Sequence, residues 1–126
     1  LDFSGVNKNI TTLPNNLTIK GNLFLSASKI ISLPDNLTVE RNLSLSNTKN
    51  ITTLPDNFTI RDLDINNSNI KSLPDNLTVK GSLQMMRTKI TYLPDSLVVG
   101  KHIVISGKLQ RQIFEKYADK YKFEAF

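Results

Sequence analysis

Apolar positions recur along the chain in one pattern that repeats about every twenty residues. Each copy opens with a Leu-Pro dipeptide that is followed by Asp or Asn. Successive copies begin 20, 21, 19 and 20 residues apart, at Leu13, Leu33, Leu54, Leu73 and Leu93. A nearly constant period of this length is typical of proteins made of stacked repeats.

Within a copy, apolar and polar side chains alternate over two short stretches, such as Leu17–Ile19 and Leu23–Leu25. Alternation with period two predicts two short strands, each with one apolar face. Pro14 and the Asn15-Asn16 pair favour a turn before the first strand. One copy cannot bury its apolar face alone, so the copies are predicted to stack. In the second copy the six apolar positions are Leu33, Leu37, Val39, Leu43, Leu45 and Ile51.

The string from Leu23 to Pro34, Leu-x-Leu-x-x-Ser-x-Ile-x-x-Leu-Pro, resembles the leucine-rich-repeat form Leu-x-Leu-x-x-Asn-x-Leu-x-x-Leu-Pro. The chain thereby resembles the short, Leu-Pro-containing leucine-rich repeats of bacterial effectors and of bacterial and phage proteins. The resemblance implies a mainly β fold, a single-file solenoid of about 20-residue coils whose strand face is the recognition surface. A β-solenoid with two or three strands per coil is the alternative geometry. The family's preferred Asn is replaced here by Ser28, Thr48, Ser68 and Thr88.

The two ends of the chain differ from the central copies. Residues 1–12 are predicted to be the second half of a repeat, so the chain is expected to be part of a longer protein. Toward the other end, Lys108–Tyr121 predicts an amphipathic helix, which we interpret as a cap that hides the open strand edge of the last coil. A partner-binding or membrane-surface helix is the alternative. The predicted domains are a repeat region, 1–106, and a helical cap, 107–126.

Composition removes several classes of function. The chain has no cysteine, which excludes disulfides, thiolate metal sites and a thiol nucleophile. His102 is the only histidine, so no transition-metal site and no cofactor are predicted. No apolar run reaches the roughly 18 residues of a membrane span, and the first residues do not resemble a signal peptide. We therefore expect no membrane partner, and we favour the cytoplasm of a bacterium or of a host cell.

Stacking would place equivalent residues of neighbouring coils about 4.8 Å apart, so each position would form a ladder. We interpret the acidic and asparagine ladders as turn residues, and the basic ladders as solvated surface. The acidic ladder is Asp35, Asp56, Asp75 and Asp95. The asparagine ladder is Asn16, Asn36, Asn57 and Asn76. The basic ladders are Lys20, Arg41, Arg61, Lys80 and Lys101, and then Lys29, Lys49 and Lys89.

The outward side chains of the Leu-x-Leu strands form the predicted recognition surface. Most of them are small and polar. Phe24 and Met86 are the strongest contact candidates, because large apolar groups on an exposed strand face lower solubility unless a partner covers them. No catalytic residue is predicted. The predicted partner-binding residues are Phe24, Asp64, Gln84, Met86, Arg87 and His102.

These observations favour a non-catalytic interaction module that presents a rigid strand face to another protein, such as a host or effector target. The net charge of +5 also permits binding of nucleic acid or another polyanion through the Lys/Arg ladders, although this is not favoured. A solenoid hydrolase or lyase that uses the acidic ladder is a third hypothesis. In a fourth, the chain is the repeat portion of an effector whose catalytic domain lies outside these residues.

An open strand edge at residues 1–12 predicts weak self-association, because free N–H and C=O groups at a sheet edge pair readily with another chain. Light scattering over a dilution series is expected to show a mean mass that falls toward 14.2 kDa as the protein is diluted. A mass that equals the monomer value at every concentration would contradict this prediction.

Overall fold

The computed structural model describes residues 1–5 and 9–126. Residues 6–8, which belong to the predicted half-repeat 1–12, lie outside the described residues. Short strands dominate the described part of the chain, and one helix follows them near the end. In chain order the elements are β1 Thr18–Ile19, β2 Leu23–Phe24, β3 Thr38–Val39, β4 Asn42–Ser44, β5 Thr59–Ile60, β6 Asp62–Asp64, β7 Thr78–Val79, β8 Leu83–Gln84, β9 Val98–Val99, β10 His102–Ile105, α1 Gly107–Tyr117 and β11 Lys122–Ala125.

Six of the strands form one parallel sheet, here called the large sheet, in the spatial order β11-β10-β8-β6-β4-β2. Asp2 extends it by an isolated parallel bridge to Phe24 of β2. The repeat pattern explains the register, because the core leucines of successive copies are paired with one another. The paired residues are Leu23, Leu43, Leu63, Leu83 and Ile103. The predicted mainly β class is confirmed, with parallel pairing and one short helix.

The first strand of each copy belongs to one of two smaller parallel sheets, β1-β3 and β5-β7-β9. Their register again joins residues one copy apart. The gap between the two sheets falls where the repeat spacing changes. Three residues separate Val39 from Leu43, whereas two separate Ile60 from Leu63.

The apolar positions of the repeat form one buried cluster. All six are buried in the second, third and fourth copies, whereas Leu17 of the first copy is only partly buried. Leu25, Leu45 and Ile65 are completely inaccessible to solvent. Burial of one such side chain contributes about 1.5–3 kcal/mol relative to exposure, so this cluster is the main source of stability.

Each full copy turns twice through a left-handed backbone conformation. Before the first strand the turn residues are asparagines, with φ between 57° and 62° at Asn16, Asn36, Asn57 and Asn76. Asparagine tolerates this conformation better than most residues, and its side chain also bonds along the ladder. Asn76 Nδ2 donates to Asn57 Oδ1 at 2.9 Å. The asparagine ladder therefore has the turn role expected from the sequence. The turns after the large-sheet strands have φ between 54° and 58° at Ala27, Asn47, Asn67 and Arg87.

The hydroxyl residues Ser28, Thr48, Ser68 and Thr88 are all buried, with at most 5% of their surface exposed. Thr48 Oγ1 donates to Leu45 O at 2.6 Å, and Thr88 Oγ1 donates to Met85 O at 2.8 Å. Ser28 Oγ instead accepts from Ile30 N at 3.4 Å. Each of these hydroxyls thus forms a hydrogen bond with a backbone group of the turn that it occupies.

The C-terminal segment differs from the predicted helical cap. Helix α1 ends at Tyr117 instead of Tyr121, and strand β11 follows it. This strand pairs in parallel with β10 from Lys122 to Ala125. The prediction that the helix hides the edge of the last strand is therefore wrong, because β11 covers that edge. The physical reason is that the free N–H and C=O groups of an edge strand require backbone partners, which another strand supplies and a helix does not.

Helix α1 packs on the last repeats through a few specific contacts. Ile113 is its fully buried apolar residue, whereas Leu109 is 48% exposed. The buried Gln110 Nε2 donates to Met85 O at 2.8 Å and to Thr88 Oγ1 at 2.7 Å. The Tyr117 hydroxyl accepts a hydrogen bond from the backbone N–H of Leu93 at 3.2 Å. Within residues 1–5 and 9–126, no helix has the length and apolar character to cross a bilayer.

Two glycines in the connections between strands give a matched test of the packing between copies. A Cβ at Gly100 would collide with the backbone oxygen of Lys80, whereas a Cβ at Gly21 would meet no atom within 4 Å. Because a backbone atom cannot move aside as a side chain can, Gly100→Ala is expected to lower the free energy of unfolding by about 1–3 kcal/mol. Gly21→Ala is expected to change it by less than about 0.5 kcal/mol. Urea unfolding of both variants measures the difference, and equal stabilities would contradict it.

Candidate interaction face of the large sheet

The outward side chains of the large sheet form three columns, which we call the outer face. The pairing of β2, β4, β6, β8 and β10 aligns the residues of each column. The first column is Asn22, Asn42, Asp62, Ser82 and His102. The second is Phe24, Ser44, Asp64, Gln84 and Val104. The third is Ser26, Ser46, Asn66, Met86 and Ser106.

Five of the six predicted contact residues lie on the outer face. Phe24, Asp64 and Gln84 share the second column, and Phe24 is 38% exposed. Met86 is partly exposed in the third column. Arg87 is exposed but lies in the turn that follows, with φ 57°, so the structure does not place it in a column. The structure thus brings three of the predicted residues together and separates Arg87 from them.

His102 lies at the other side of the outer face, next to the strand that the sequence did not predict. Its Nδ1 is 3.6 Å from Glu124 Oε1 of β11, and both side chains are about half exposed. Glu124 was missed because its place on the face depends on the pairing of β11 with β10, for which the sequence gives no periodic signal.

A groove of about 460 Å³ runs across the centre of the outer face. Ser44 lies between Phe24 and Asp64 in the second column, so two larger side chains flank a small one. Asn42 and Asp62 line the groove from the first column. The sequence placed these two residues on the outward face without selecting them. The available signal was the spacing of Asp62 and Asp64, since residues two apart on a strand point to the same side.

Hydrogen bonds hold the polar side chains of the groove in place. Asp62 Oδ1 accepts from Ser82 N at 2.8 Å, and Asp64 Oδ1 accepts from Asn66 N at 2.9 Å. Asn42 Oδ1 is buried and accepts no hydrogen bond from any described residue. A buried acceptor without a donor costs free energy, so this atom is a point at which a ligand could add a favourable contact.

Burial also changes the acidity of one groove residue. Desolvation raises the pKa of Asp64 above its ordinary value of 3.8, and the hydrogen bond from Asn66 N partly offsets this effect. Burial disfavours the charged carboxylate because water solvates a charge better than the protein does. A positive charge in the groove would stabilise the same carboxylate.

The acidic ladder lies at a different place, along the turns that follow the Leu-Pro phrases. Asp35, Asp56 and Asp75 line a second groove of about 570 Å³ together with Tyr92. Among the described residues, no group of three His, Asp or Glu side chains is arranged to hold a metal ion. The arrangement therefore adds nothing to the turn interpretation of these aspartates.

The basic ladders are less regular than the sequence predicted. Arg41 N donates to Gly21 O, so Arg41 lies beside Gly21 and not beside Lys20. Lys101 N likewise donates to Gly81 O, one position beyond Lys80. The five cations are therefore staggered over two positions, and the prediction of one straight ladder is wrong. The sequence could not show this, because it depends on how each turn aligns with the next.

Comparison of the chain with protein-family models, with curated proteins and with solved structures finds no match in any of the three. The resemblance to leucine-rich repeats therefore stays a prediction.

The pKa of Asp64 predicts a pH-dependent effect on stability. Because the pKa of Asp64 is higher in the folded protein than the ordinary value of 3.8, protonation of this carboxyl favours the folded state. This contribution to the free energy of unfolding is complete below pH 3.8 and is lost as the pH rises through the raised pKa. Asp64→Asn, which stays uncharged, is therefore expected to be more stable than the unsubstituted protein at neutral pH and equally stable well below 3.8. The gain is expected to be under about 1 kcal/mol, because water screens a partly exposed carboxylate.

Urea unfolding at both pH values measures this gain, and NMR titration of the Asp64 carboxyl carbon measures the pKa directly. Asp35→Asn, at an exposed turn, is the matched control for the loss of one negative charge. A loss of stability in Asp64→Asn at neutral pH, together with a titration midpoint at or below 3.8, would contradict the prediction.

Proposed function

We propose that the chain is a single-file, leucine-rich-repeat-like solenoid that binds another protein through the outer face and is not an enzyme. The proposal includes the cytoplasm of a bacterium or of a host cell as the place of action. The observation that carries it is the outer face itself, in which three aligned columns of side chains lie on a completely buried apolar layer.

Rigidity of the outer face supports binding. Leu43, Leu63 and Leu83, which alternate with the outward residues, are at most 1% exposed. The Ser26 and Ser44 hydroxyls are hydrogen-bonded at 2.7 Å, and Ser46 Oγ donates to Ser26 Oγ at 2.9 Å. Side chains that are fixed before binding lose little conformational entropy on association, which favours recognition of a partner.

The polar side chains of the outer face favour binding over catalysis. The carboxylates of Asp62 and Asp64 accept hydrogen bonds from the backbone N–H groups of Ser82 and Asn66, and the amide of Asn66 donates to Gln84 Oε1 at 2.9 Å. These contacts hold the carboxylates within the sheet surface. A general base would instead need to point at a nucleophile or at a substrate proton.

Binding of nucleic acid or another polyanion is the less favoured alternative. Regular phosphates would match an evenly spaced row of cations, whereas Arg41 and Lys101 are displaced from Lys20 and Lys80. Lys49 Nζ in the other basic ladder donates to Asn67 O at 2.8 Å within the protein. A complex whose affinity falls steeply with salt concentration would favour the polyanion.

The outer face is tested by introducing negative charges at its two apolar candidate residues. Phe24→Asp combined with Met86→Asp is expected to abolish capture of partner proteins while the fold remains, since both side chains already contact solvent. The matched control is Ile31→Asp combined with Leu109→Asp, which introduces two charges at apolar sites that are 54% and 48% exposed outside the outer face.

Captured proteins are identified by mass spectrometry, and binding is then measured by calorimetry with the purified partner. Hydrogen exchange of the complex is expected to show protection in β4, β6 and β8. Equal binding by the Phe24/Met86 variant and the control variant, with both folded by circular dichroism, would overturn the proposed function.

A further inference from the structure

We propose that the groove in the outer face binds an arginine side chain of the partner, with its guanidinium over Ser44 between the Phe24 ring and the Asp64 carboxylate. This inference rests on the proposed function and specifies the chemistry of the partner at that face.

Charge distribution supports a cationic ligand. The chain has 16 Lys and Arg residues against 11 Asp and Glu residues, yet none of the basic residues falls in the outer-face stretches 22–26, 42–46, 62–66, 82–86 and 102–106. The same stretches contain Asp62 and Asp64. These stretches thus carry only negative formal charge in a protein with a net charge of +5, which favours a positively charged group of a partner at this place.

The hydrogen-bonding capacity of the groove points to a ligand that donates. Asp62 and Asp64 each use Oδ1 to accept a backbone N–H, and their Oδ2 atoms accept no hydrogen bond from any described residue. Asn42 Oδ1 adds a buried acceptor that is also without a donor in the described part of the chain. A guanidinium matches such a set because it carries five N–H donors and no acceptor.

The spacing of the second column matches a flat cation. Phe24 and Asp64 lie on strands two apart, so about 10 Å separates their backbones, and the small Ser44 forms the floor between them. A planar guanidinium can lie against the aromatic ring, where cation–π attraction acts within about 6 Å of the ring centroid. The N–H groups in the guanidinium plane can then donate hydrogen bonds to a neighbouring carboxylate.

Arginine is favoured over lysine for two reasons. A lysine ammonium is a compact, strongly hydrated charge that cannot bond both carboxylate oxygens in one plane. Its three donors would also leave more of the groove acceptors unpaired. The combination of an aromatic ring and a carboxylate, at Phe24 and Asp64, therefore favours the guanidinium.

The test uses the whole chain and three capped tripeptides, Ac-Gly-X-Gly-NH₂, in which X is arginine, lysine or citrulline. Citrulline has the shape of arginine without the charge. NMR titration is expected to shift the backbone amides of Ser44, Asp62 and Asp64 with the arginine peptide. The lysine peptide is expected to bind several-fold more weakly, and the citrulline peptide is expected to cause no saturable shift.

Variants locate the binding in the groove. Asp64→Asn is expected to lower the affinity for the arginine peptide by about tenfold or more, on the scale of a lost charge-assisted hydrogen bond. Phe24→Leu is expected to lower this affinity about threefold, because cation–π attraction at a partly exposed site is smaller. Asp35→Asn and Phe114→Leu are the matched controls at exposed positions outside the outer face, and they are expected to bind as the unsubstituted chain does.

The outcomes separate this inference from the proposed function. Equal binding of the arginine and citrulline peptides, or unchanged binding by Asp64→Asn and Phe24→Leu, would overturn the arginine site. If the Phe24/Met86 charge variant still loses the partner in that case, the outer face remains the binding surface and only its arginine specificity fails. Saturable binding that requires both Asp64 and Phe24 supports both proposals.

Discussion

Parallel pairing at a register of one repeat is the constraint on which the rest of the structure depends. It sets each residue of a paired strand beside its equivalent in the next copy, as Leu43 lies beside Leu23 and Leu63. Apolar residues that recur at one position therefore form a continuous buried layer. The same register explains why the turn asparagines bond one another, as Asn36 does with Asn16. A strand with the same alternation of apolar and polar residues, but paired one residue out of register, would expose its whole apolar face to solvent.

The same constraint has a cost, because charges that recur at one position also lie side by side. The structure limits this cost in two ways. On the basic side, Arg41 lies beside Gly21 and not beside Lys20, and Lys101 lies beside Gly81, so Arg41 and Arg61 are the adjacent pair of cations in that ladder. On the outer face, neighbours of Asp64 in its column are the uncharged Ser44 and Gln84. Repulsion between like charges a strand spacing apart is thereby reduced where the surrounding water is least able to screen it.

Local sequence predicted the features that local physics determines. The strands, the buried positions and the turn role of the asparagines follow from alternation and from turn preferences, which each copy expresses independently. Strand β11 did not follow, because Lys122–Ala125 has no repeat to indicate its partner and gains its place only by contact with β10. The helix end at Tyr117 was missed for the same reason. At the candidate site, the outward face was predictable, but the groove was not, since its depth depends on three adjacent strands.

The groove shows where specificity can arise in a repeated structure. Identical copies would give a uniform face with no position that differs from the next. A site requires departures from the repeat, and these are concentrated in the second column, where Phe24, Ser44 and Asp64 occupy equivalent places with a ring, a small hydroxyl and a carboxylate. The regular spacing of the core residues from copy to copy holds these three different side chains at fixed separations. The core therefore supplies the geometry of recognition, and the departures from the repeat supply its chemistry.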